Sequence, residues 1–226
     1  MKKEILKALY NFKINTKFWD RTNLTGPEYD NIRSKPALYL KKAIEIANIL
    51  KLKTVVEIGT TRFAVSNKCV DFWYNPHEFI SPPCCCDGHG GIFWSLEDFE
   101  VHTVDIDSNH IKQLNWSFGN INKPVPSNFN IHIPRDGVEF LKTFDKKIDV
   151  LFLDGWDVGT HQYREKHLEA FIAAQDKLSD THLVLIDDTD FRTIDGGKDA
   201  LLSPYLLEIG YHLLFTGRQT LFINKL

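Results

Sequence analysis

The sequence predicts an α/β fold, a doubly wound, seven-stranded and mostly parallel sheet with an antiparallel C-terminal hairpin. Short apolar runs such as Thr54–Ile58 and Val101–Ile106 are typical of parallel strands covered on both faces. Segments with helical spacing separate these runs, which indicates strands alternating with helices. Two short runs, Tyr211–Phe215 and Thr220–Ile223, flank a turn at Thr216–Gln219, and this pattern predicts a hairpin.

The remaining elements follow in order along the chain. Apolar residues recur at helical spacing over Pro36–Leu50, which predicts a helix packed on the sheet. Further strands are predicted at Asn130–Ile133, Asp149–Leu153 and Leu183–Ile186. Further helices are predicted from Ser108, over Gly137–Phe144, over Gln162–Lys177 and up to Ile209.

The chain is predicted to form one main domain, residues 36–226, preceded by a cap or lid at residues 1–35. Glu57 and Asp105 lie 48 positions apart, whereas the two corresponding sites of most nucleotide-binding folds lie about 20 residues apart. We therefore expect an inserted loop at residues 62–87, where prolines and the run Cys84–Cys86 interrupt any regular period.

Composition limits the classes of partner. The 226 residues are 43% hydrophobic and 25% charged, with a net charge of −3, so no strong basic field favours nucleic acid. No apolar run reaches the length of a membrane span, and no signal peptide is evident. The four cysteines have no familiar disulfide or zinc spacing. We expect a cytoplasmic protein with a small-molecule acceptor; the oligomeric state, a homo-oligomer included, stays open.

Acidic residues and glycines follow the predicted strands, where ligands bind in sheets of this kind. Glu57 ends the first strand and Asp105 the second, and the Asp105 carboxylate can accept both hydroxyls of a ribose. Gly59, Gly88 and Gly90 allow a backbone to approach a ligand, although a plain loop is the alternative. The glycines do not form the G-x-G-x-x-G pattern and no Walker lysine follows them, which disfavours NAD and ATP.

Three carboxylates end two further strands of the predicted sheet. Asp154 follows one strand, and Asp187 and Asp188 follow the next. Carboxylates that meet at one edge repel one another, and a divalent cation with oxygen ligands would relieve that repulsion. The alternative is that these acids face a substrate pocket or cap helices.

The chain resembles class I S-adenosylmethionine-dependent methyltransferases over roughly residues 37–226. More narrowly, it is similar to small-molecule O-methyltransferases of the catechol and macrocin/cephalosporin-hydroxylase-like kind. The segments that carry the resemblance are Glu57–Thr61, Gly88–Gly91, Asp105, Leu153–Gly155 with His161 and Tyr163, and Ile186–Asp188.

The resemblance implies S-adenosylmethionine as the cofactor. The turn with Glu57, Gly59, Thr60, Gly88 and Gly90 would meet its methionine part.

Three aspartates would complete the cofactor site by the same resemblance. Asp105 would hold the ribose, and Asp154 would lie beside the cofactor. Asp136 would lie near the adenine amino group, with helix capping as the alternative.

The resemblance also implies Mg²⁺ on Asp154, Asp187 and Asp188, where it would chelate the acceptor oxygens. Catechol-type enzymes carry a lysine base shortly after the first of these acids, and this chain has none there. His161 is the better candidate for the base, with a helix-capping or solvated histidine as the alternative. Trp156, two residues after Asp154, is predicted to line the pocket.

The expected activity is O-methylation of a small-molecule or sugar hydroxyl, with possible divalent-metal assistance. Two alternatives stay open, a metal-independent methyltransferase acting on nitrogen or another acceptor, and a non-catalytic binding module with the same fold.

Overall fold

A single seven-stranded sheet organises the computed structural model, which describes residues 2–16, 36–60, 65, 89–190 and 196–226. The strand order is β3-β2-β1-β4-β5-β7-β6. The first five strands run parallel, and β7 pairs antiparallel with both β5 and β6. The predicted doubly wound sheet with a reversed C-terminal hairpin is therefore confirmed. The strands are β1 (Thr54–Ile58), β2 (Glu100–Val104), β3 (Phe129–His132), β4 (Ile148–Leu153), β5 (Leu178–Ile186), β6 (His212–Phe215) and β7 (Thr220–Ile223).

Helices cover both faces of this sheet within the described residues. They are α1 (Lys2–Thr16), α2 (Pro36–Ile49), α3 (Gly90–Leu96), α4 (His110–Asn120), α5 (Gly137–Thr143), α6 (Tyr163–Ala174) and α7 (Leu202–Glu208). One core cluster joins α1 to α4 with one face of the sheet, and a second joins α5, α6 and α7 with the other. Burial on both faces explains why the central strands are continuous apolar runs.

Strand β1 shows how the alternation of side chains sorts residues between the two faces. Val55 lies in the core beneath α1 to α4, and Val56 and Ile58 lie in the core beneath α5 to α7. Glu57 shares the face of Val55 because successive side chains point to opposite sides of a strand. The register places Thr103 of β2 beside Glu57, so a buried hydroxyl is available to a buried acid.

The strand limits differ from the prediction at two informative places. Strand β2 ends at Val104, so Asp105 lies just beyond the sheet. Strand β5 begins at Leu178, well before the predicted Leu183; its first half was missed because residues 179–182 are all polar and form no apolar run. The Ser179 hydroxyl donates to Asp149 at 2.5 Å, which ties this polar half to β4.

The first helix is part of the main core. Ile5, Leu9 and Phe12 are buried in the cluster beneath α2, and the Phe12 ring lies 5.2 Å from the rings of both Tyr39 and Phe215. The rest of the predicted cap, residues 17–35, and all of the predicted insertion except Val65 lie outside the described residues. Gly88 and the run Cys84–Cys86 fall in that same undescribed stretch. Among the described helices, none has the length and apolar composition that a membrane crossing requires.

The sheet order places a crevice at the carboxyl end of β1. From β1 the chain winds outward through β2 and β3, and then returns to build β4 and β5 on the other side of β1. Ligands bind at such a reversal of strand order, because the loops there diverge to opposite faces. The fold thus directs attention to the residues that follow β1, β2, β4 and β5.

Candidate active site

A cavity of about 100 Å³ lies at the carboxyl ends of β1, β2 and β4. Its walls come from the strand ends, the loop before α5 and the loop after β4. The lining residues are Ile58, Gly59, Val104, Asp105, Ile106, Arg135, Asp136, Gly137, Gly155 and Trp156. Three predicted site residues, Gly59, Asp105 and Asp136, are thus brought together with Trp156 in the wall of one cavity; a contact of Trp156 with the acceptor stays a prediction.

Asp105 is fixed by its own loop and by the turn after β1. Its Oδ2 accepts the Thr60 N–H at 3.0 Å, and its Oδ1 accepts the Asp107 N–H at 2.8 Å. His110 Nδ1 lies 3.0 Å from Oδ2. Each carboxylate oxygen has two acceptor positions, so these contacts orient the group and leave it capacity to accept further hydrogen bonds. Thr60 therefore reaches the site through its backbone, as a group that positions Asp105.

Gly59 allows the backbone segments that follow β1 and β4 to lie in direct contact. Its φ of +89° lies in the left-handed region, and a Cβ there would lie 2.4 Å from the Gly155 nitrogen. The Asp154 N–H donates to the Ile58 carbonyl at 2.8 Å, which extends the strand pairing up to this contact. The residue is required by the backbone geometry, because a side chain would collide with main-chain atoms that cannot move independently.

Glu57 is fully buried beneath the start of α3. Its Oε1 accepts the Gly91 N–H at 2.6 Å, and its Oε2 accepts the Thr103 hydroxyl at 2.5 Å. Burial raises the pKa of the Glu57 carboxyl to about 8, although the hydrogen bonds from Thr103 and Gly91 oppose the shift. Glu57 does not line the cavity; it anchors the helix start to the sheet.

The glycines at the start of α3 are explained by packing. A Cβ on Gly90 would lie 2.1 Å from Cε1 of Phe152, and a Cβ on Gly91 would lie 2.4 Å from Oε2 of Glu57. Gly90 therefore lets the helix start lie flat on the sheet, and a direct contact with a cofactor stays a prediction. Gly88 lies outside the described residues.

Asp136 both caps α5 and lines the cavity. Its Oδ1 accepts the Glu139 N–H at 3.0 Å, as expected of an N-cap residue. Helix capping, the alternative considered for this residue, is therefore present, and the same side chain faces the cavity beside Gly137.

The loop after β4 carries Trp156 and His161 in different environments. Trp156 has a φ of +44°, and its ring lies 5.4 Å from that of His167 in an edge-on arrangement. His167 is fully buried, and its Nδ1–H donates to the Tyr163 carbonyl at 2.6 Å. Burial lowers the pKa of His167 to about 3, with a further contribution from the charge of Lys198. His161 is exposed and is not among the cavity residues, so its role as base stays a prediction.

The three predicted metal ligands do meet at the ends of β4 and β5. Each of Asp154, Asp187 and Asp188 places a carboxylate oxygen within 4.8 Å of those of the other two. Burial raises the pKa of Asp154 well above its ordinary value, and the neighbouring charge of Asp187 adds to the shift. The predicted convergence of acids is therefore real.

Two basic residues that sequence reasoning missed lie against these acids. Lys198 Nζ lies 3.0 Å from Asp154 Oδ1 and 3.1 Å from Asp188 Oδ2, and it donates to the Asp154 carbonyl at 2.8 Å. Its side chain is 1% exposed. Burial by itself would lower the pKa of Lys198, but the carboxylates of Asp154, Asp188 and Asp187 outweigh burial and raise it.

Arg218, in the turn between β6 and β7, supplies the second cation. Its Nη2 is in close contact with Asp188 Oδ1 and lies 3.7 Å from Asp187 Oδ2. Gln219 Nε2 donates to Asp187 Oδ1 at 2.9 Å. The only sequence signal for these groups was the basic and amide pair Arg218-Gln219 inside a hairpin turn, and a single lysine in a polar loop.

Comparisons with known proteins support the fold assignment. No family model matches the chain, and no curated protein matches it. Among solved structures, the SAH-bound methyltransferase PaMTH1 of Podospora anserina aligns with a TM-score of 0.56 at 18% identity, over 96% of this chain and 86% of that one. A Staphylococcus aureus protein assigned as a caffeoyl-CoA O-methyltransferase aligns with a TM-score of 0.53 at 13% identity, over 96% and 98%.

A third structure broadens the comparison. A protein of Clostridium thermocellum assigned as an rRNA methylase aligns with a TM-score of 0.50 at 13% identity, over 81% of this chain and 95% of that one. Identities this low carry the fold and not the acceptor. Together with the strand order and the reversed last strand, they show that this chain has the fold of the class I S-adenosylmethionine-dependent methyltransferases.

Proposed function

We propose that the chain is an S-adenosylmethionine-dependent methyltransferase that methylates a hydroxyl of a small molecule. The observation that carries the proposal is the cavity at the reversal of strand order, with the oriented Asp105 carboxylate in its wall. A nucleoside cofactor fits this place because the strand-end carboxylate can accept both ribose hydroxyls.

The other cavity residues suit the adenine end of such a cofactor. Ile106 and Trp156 supply apolar surface, and Asp136 supplies an acceptor for an exocyclic amino group. Gly59 and Thr60 follow β1 directly, and Thr60 contacts Asp105 through its backbone N–H. We assign the methionine part of the cofactor to this turn, as the family resemblance implies, with Glu57 as the residue that holds α3 in place.

The proposed reaction is a direct transfer of the methyl group. A lone pair of the acceptor oxygen attacks the sulfonium methyl carbon in line with the departing sulfur. The O–C bond forms as the S–C bond breaks, S-adenosylhomocysteine leaves as a neutral thioether, and the hydroxyl proton passes to a base. Positioning of the two reactants supplies much of the rate enhancement in a transfer of this kind. His161 remains the predicted base.

The net charge of −3 supports a small-molecule acceptor over nucleic acid, because it provides no general attraction for a nucleic-acid backbone. The choice of a hydroxyl rests on the family resemblance of the sequence motifs. The similar structures assigned as an O-methyltransferase and as an rRNA methylase do not decide between acceptors, because at 13% identity each extends to the fold alone.

The predicted Mg²⁺ does not fit the arrangement of Asp154, Asp187 and Asp188 as it stands. Mg²⁺ takes about six oxygen ligands around it, and the Lys198 ammonium already lies about 3 Å from two of these carboxylates. We therefore favour the metal-independent form of the reaction and assign no step to a metal.

Calorimetric titration of the purified chain with S-adenosylhomocysteine tests the proposal. We expect binding by the wild type and at least about tenfold weaker binding by Asp105→Ala, since a hydrogen bond to a charged group contributes about 1.5–3 kcal/mol. Asp176→Ala is the matched control, because that carboxylate lies just after α6 and is 77% exposed. Absence of binding by the folded wild type would rule out the proposed cofactor.

A further inference from the structure

We propose that Lys198 is the resident cation of the Asp154–Asp187–Asp188 cluster and takes the place that a divalent metal would occupy. This inference deepens the proposed function, because it specifies an acceptor site that does not depend on chelation. The distances carry it: the ammonium bridges Asp154 of β4 and Asp188 after β5, at 3.0 and 3.1 Å. A cation at this point joins the same two strand ends that a bound metal would join.

Hydrogen bonds and a close backbone contact hold the loop at Gly196–Lys198 against the end of β5, which places Lys198 at the cluster. The Lys198 N–H donates to the Asp188 carbonyl at 3.3 Å, and the Tyr163 hydroxyl donates to the Gly196 carbonyl at 2.8 Å. A Cβ on Gly197 would lie 2.7 Å from the carbonyl oxygens of Asp188 and Thr189. The glycine thus lets the loop pass against the end of β5, and the lysine that follows is buried as a consequence.

Arg218 adds a second positive charge to the cluster. The Thr189 N–H donates to the Arg218 carbonyl at 3.1 Å, and the Thr189 hydroxyl donates to the Gly217 carbonyl at 2.7 Å. These bonds fix the β6–β7 turn against the end of β5, where Arg218 contacts Asp188 and approaches Asp190 at 3.8 Å. Lys198 and Arg218 together bring the two positive charges that one divalent ion would bring.

Each carboxylate oxygen of Asp187 and Asp188 already has a partner. Asp188 contacts Arg218 through Oδ1 and Lys198 through Oδ2. Asp187 accepts from Gln219 through Oδ1 and faces Arg218 through Oδ2. A metal would have to displace these partners and then lie within a few ångströms of an ammonium that is buried with it. Strong repulsion between buried like charges opposes that arrangement.

A cluster that holds Lys198 in place of a metal makes a different demand on the methyl acceptor. A metal-centred site selects acceptors with two adjacent oxygens that chelate the ion. With Lys198 as the cation, that requirement disappears, so we infer that a single hydroxyl on the acceptor is sufficient. Lys198 acts as a positioning residue, since its 1% exposed side chain reaches the acceptor only through the carboxylates that it holds.

Electron paramagnetic resonance of Mn²⁺ tests the proposal at neutral pH. We expect no bound Mn²⁺ in the wild type and one bound Mn²⁺ per chain in Lys198→Met, which keeps the buried stem and removes the charge. Addition of Asp187→Asn to Lys198→Met should abolish that site. Lys177→Met is the matched control, because Lys177 pairs with Asp176 at 2.8 Å outside the cluster, and it should bind no Mn²⁺.

Two results would overturn the proposal. One is a wild type that binds Mn²⁺ and loses it on Asp187→Asn; the other is a folded Lys198→Met that binds none. If Lys198→Met does not fold by circular dichroism, Lys198→Gln replaces it, since the amide retains hydrogen-bond donors. The wild-type titration requires no variant. Binding of S-adenosylhomocysteine is measured separately, so failure of the cofactor proposal is distinguishable from failure of this one.

Discussion

Glu57→Gln should remove a loss of stability that the wild type shows as the pH rises from about 5 to about 8. The Glu57 carboxyl has its pKa raised from 4.5 to about 8 by burial, so the folded chain holds a proton that the unfolded chain has released at neutral pH. Its contribution to stability is fully present below pH 4.5 and is lost as the pH rises to about 8. Glutamine imitates the protonated acid, because its amide oxygen can accept from Gly91 while its amide nitrogen faces the Thr103 hydroxyl.

The magnitude follows from the shift. At about 1.4 kcal/mol per pKa unit, the wild type loses roughly 3 kcal/mol between about pH 5 and about pH 8 through this group alone. The variant should lack that loss. The two proteins should therefore have similar free energies of unfolding near pH 5, and the variant should be the more stable by roughly 3 kcal/mol near pH 8.

Urea unfolding followed by circular dichroism at the two pH values measures this difference. The comparison of the two proteins at each pH cancels the other titrating groups. Glu208→Gln is the matched control, because Glu208 is exposed at the end of α7, and its curve should run parallel to the wild type. A Glu57→Gln variant that is most destabilised near pH 8 would refute the reasoning, since it would show that the start of α3 holds Glu57 as an anion.

Two further outcomes test the neighbouring backbone and core. Gly59→Ala should lower the free energy of unfolding by at least about 2 kcal/mol in urea, because a left-handed φ of +89° and a 2.4 Å approach to Gly155 both oppose a Cβ; an unchanged midpoint would contradict this geometry. The pKa of His167 is lowered to about 3, so below about pH 6.5 the unfolded chain binds a proton at this residue and the folded chain does not. Lowering the pH therefore favours unfolding. Between about pH 7 and about pH 5 the free energy of unfolding in urea should fall by about 2 kcal/mol more in the wild type than in His167→Gln; equal decreases would contradict the lowered pKa.

The sequence was sufficient for the sheet and for most of the acids at its edge because both depend on local patterns. Apolar runs identify strands that are covered on two faces, and an acid directly after such a run must lie at the carboxyl edge. Asp105 and the trio Asp154, Asp187 and Asp188 were located in this way, and the structure brings each to the expected strand end. Trp156 was placed in the pocket wall by its nearness to Asp154.

Glu57 shows where the same reasoning stops. Its position at the end of β1 suggested a ligand contact, yet side-chain alternation sets it on the face opposite Val56 and Ile58, beneath α3. Both faces of β1 are covered, so either direction leads to a buried site. What the sequence could not supply is that α3 begins directly above Glu57, because the residues that connect β1 to α3 include the predicted insertion.

Lys198 could not have been found from the sequence because its partners are distant along the chain and its loop has no periodic pattern. The missing lysine after Asp154 was judged against a fixed spacing, whereas the structure brings a lysine to the same carboxylate from 44 positions further on. A buried ammonium is costly unless carboxylates surround it, and three carboxylates at one edge are equally costly without a cation. The cluster of acids therefore predicts a positive partner. From the sequence alone that partner was taken to be a metal, because nothing in the local pattern showed that Lys198 reaches the same carboxylates.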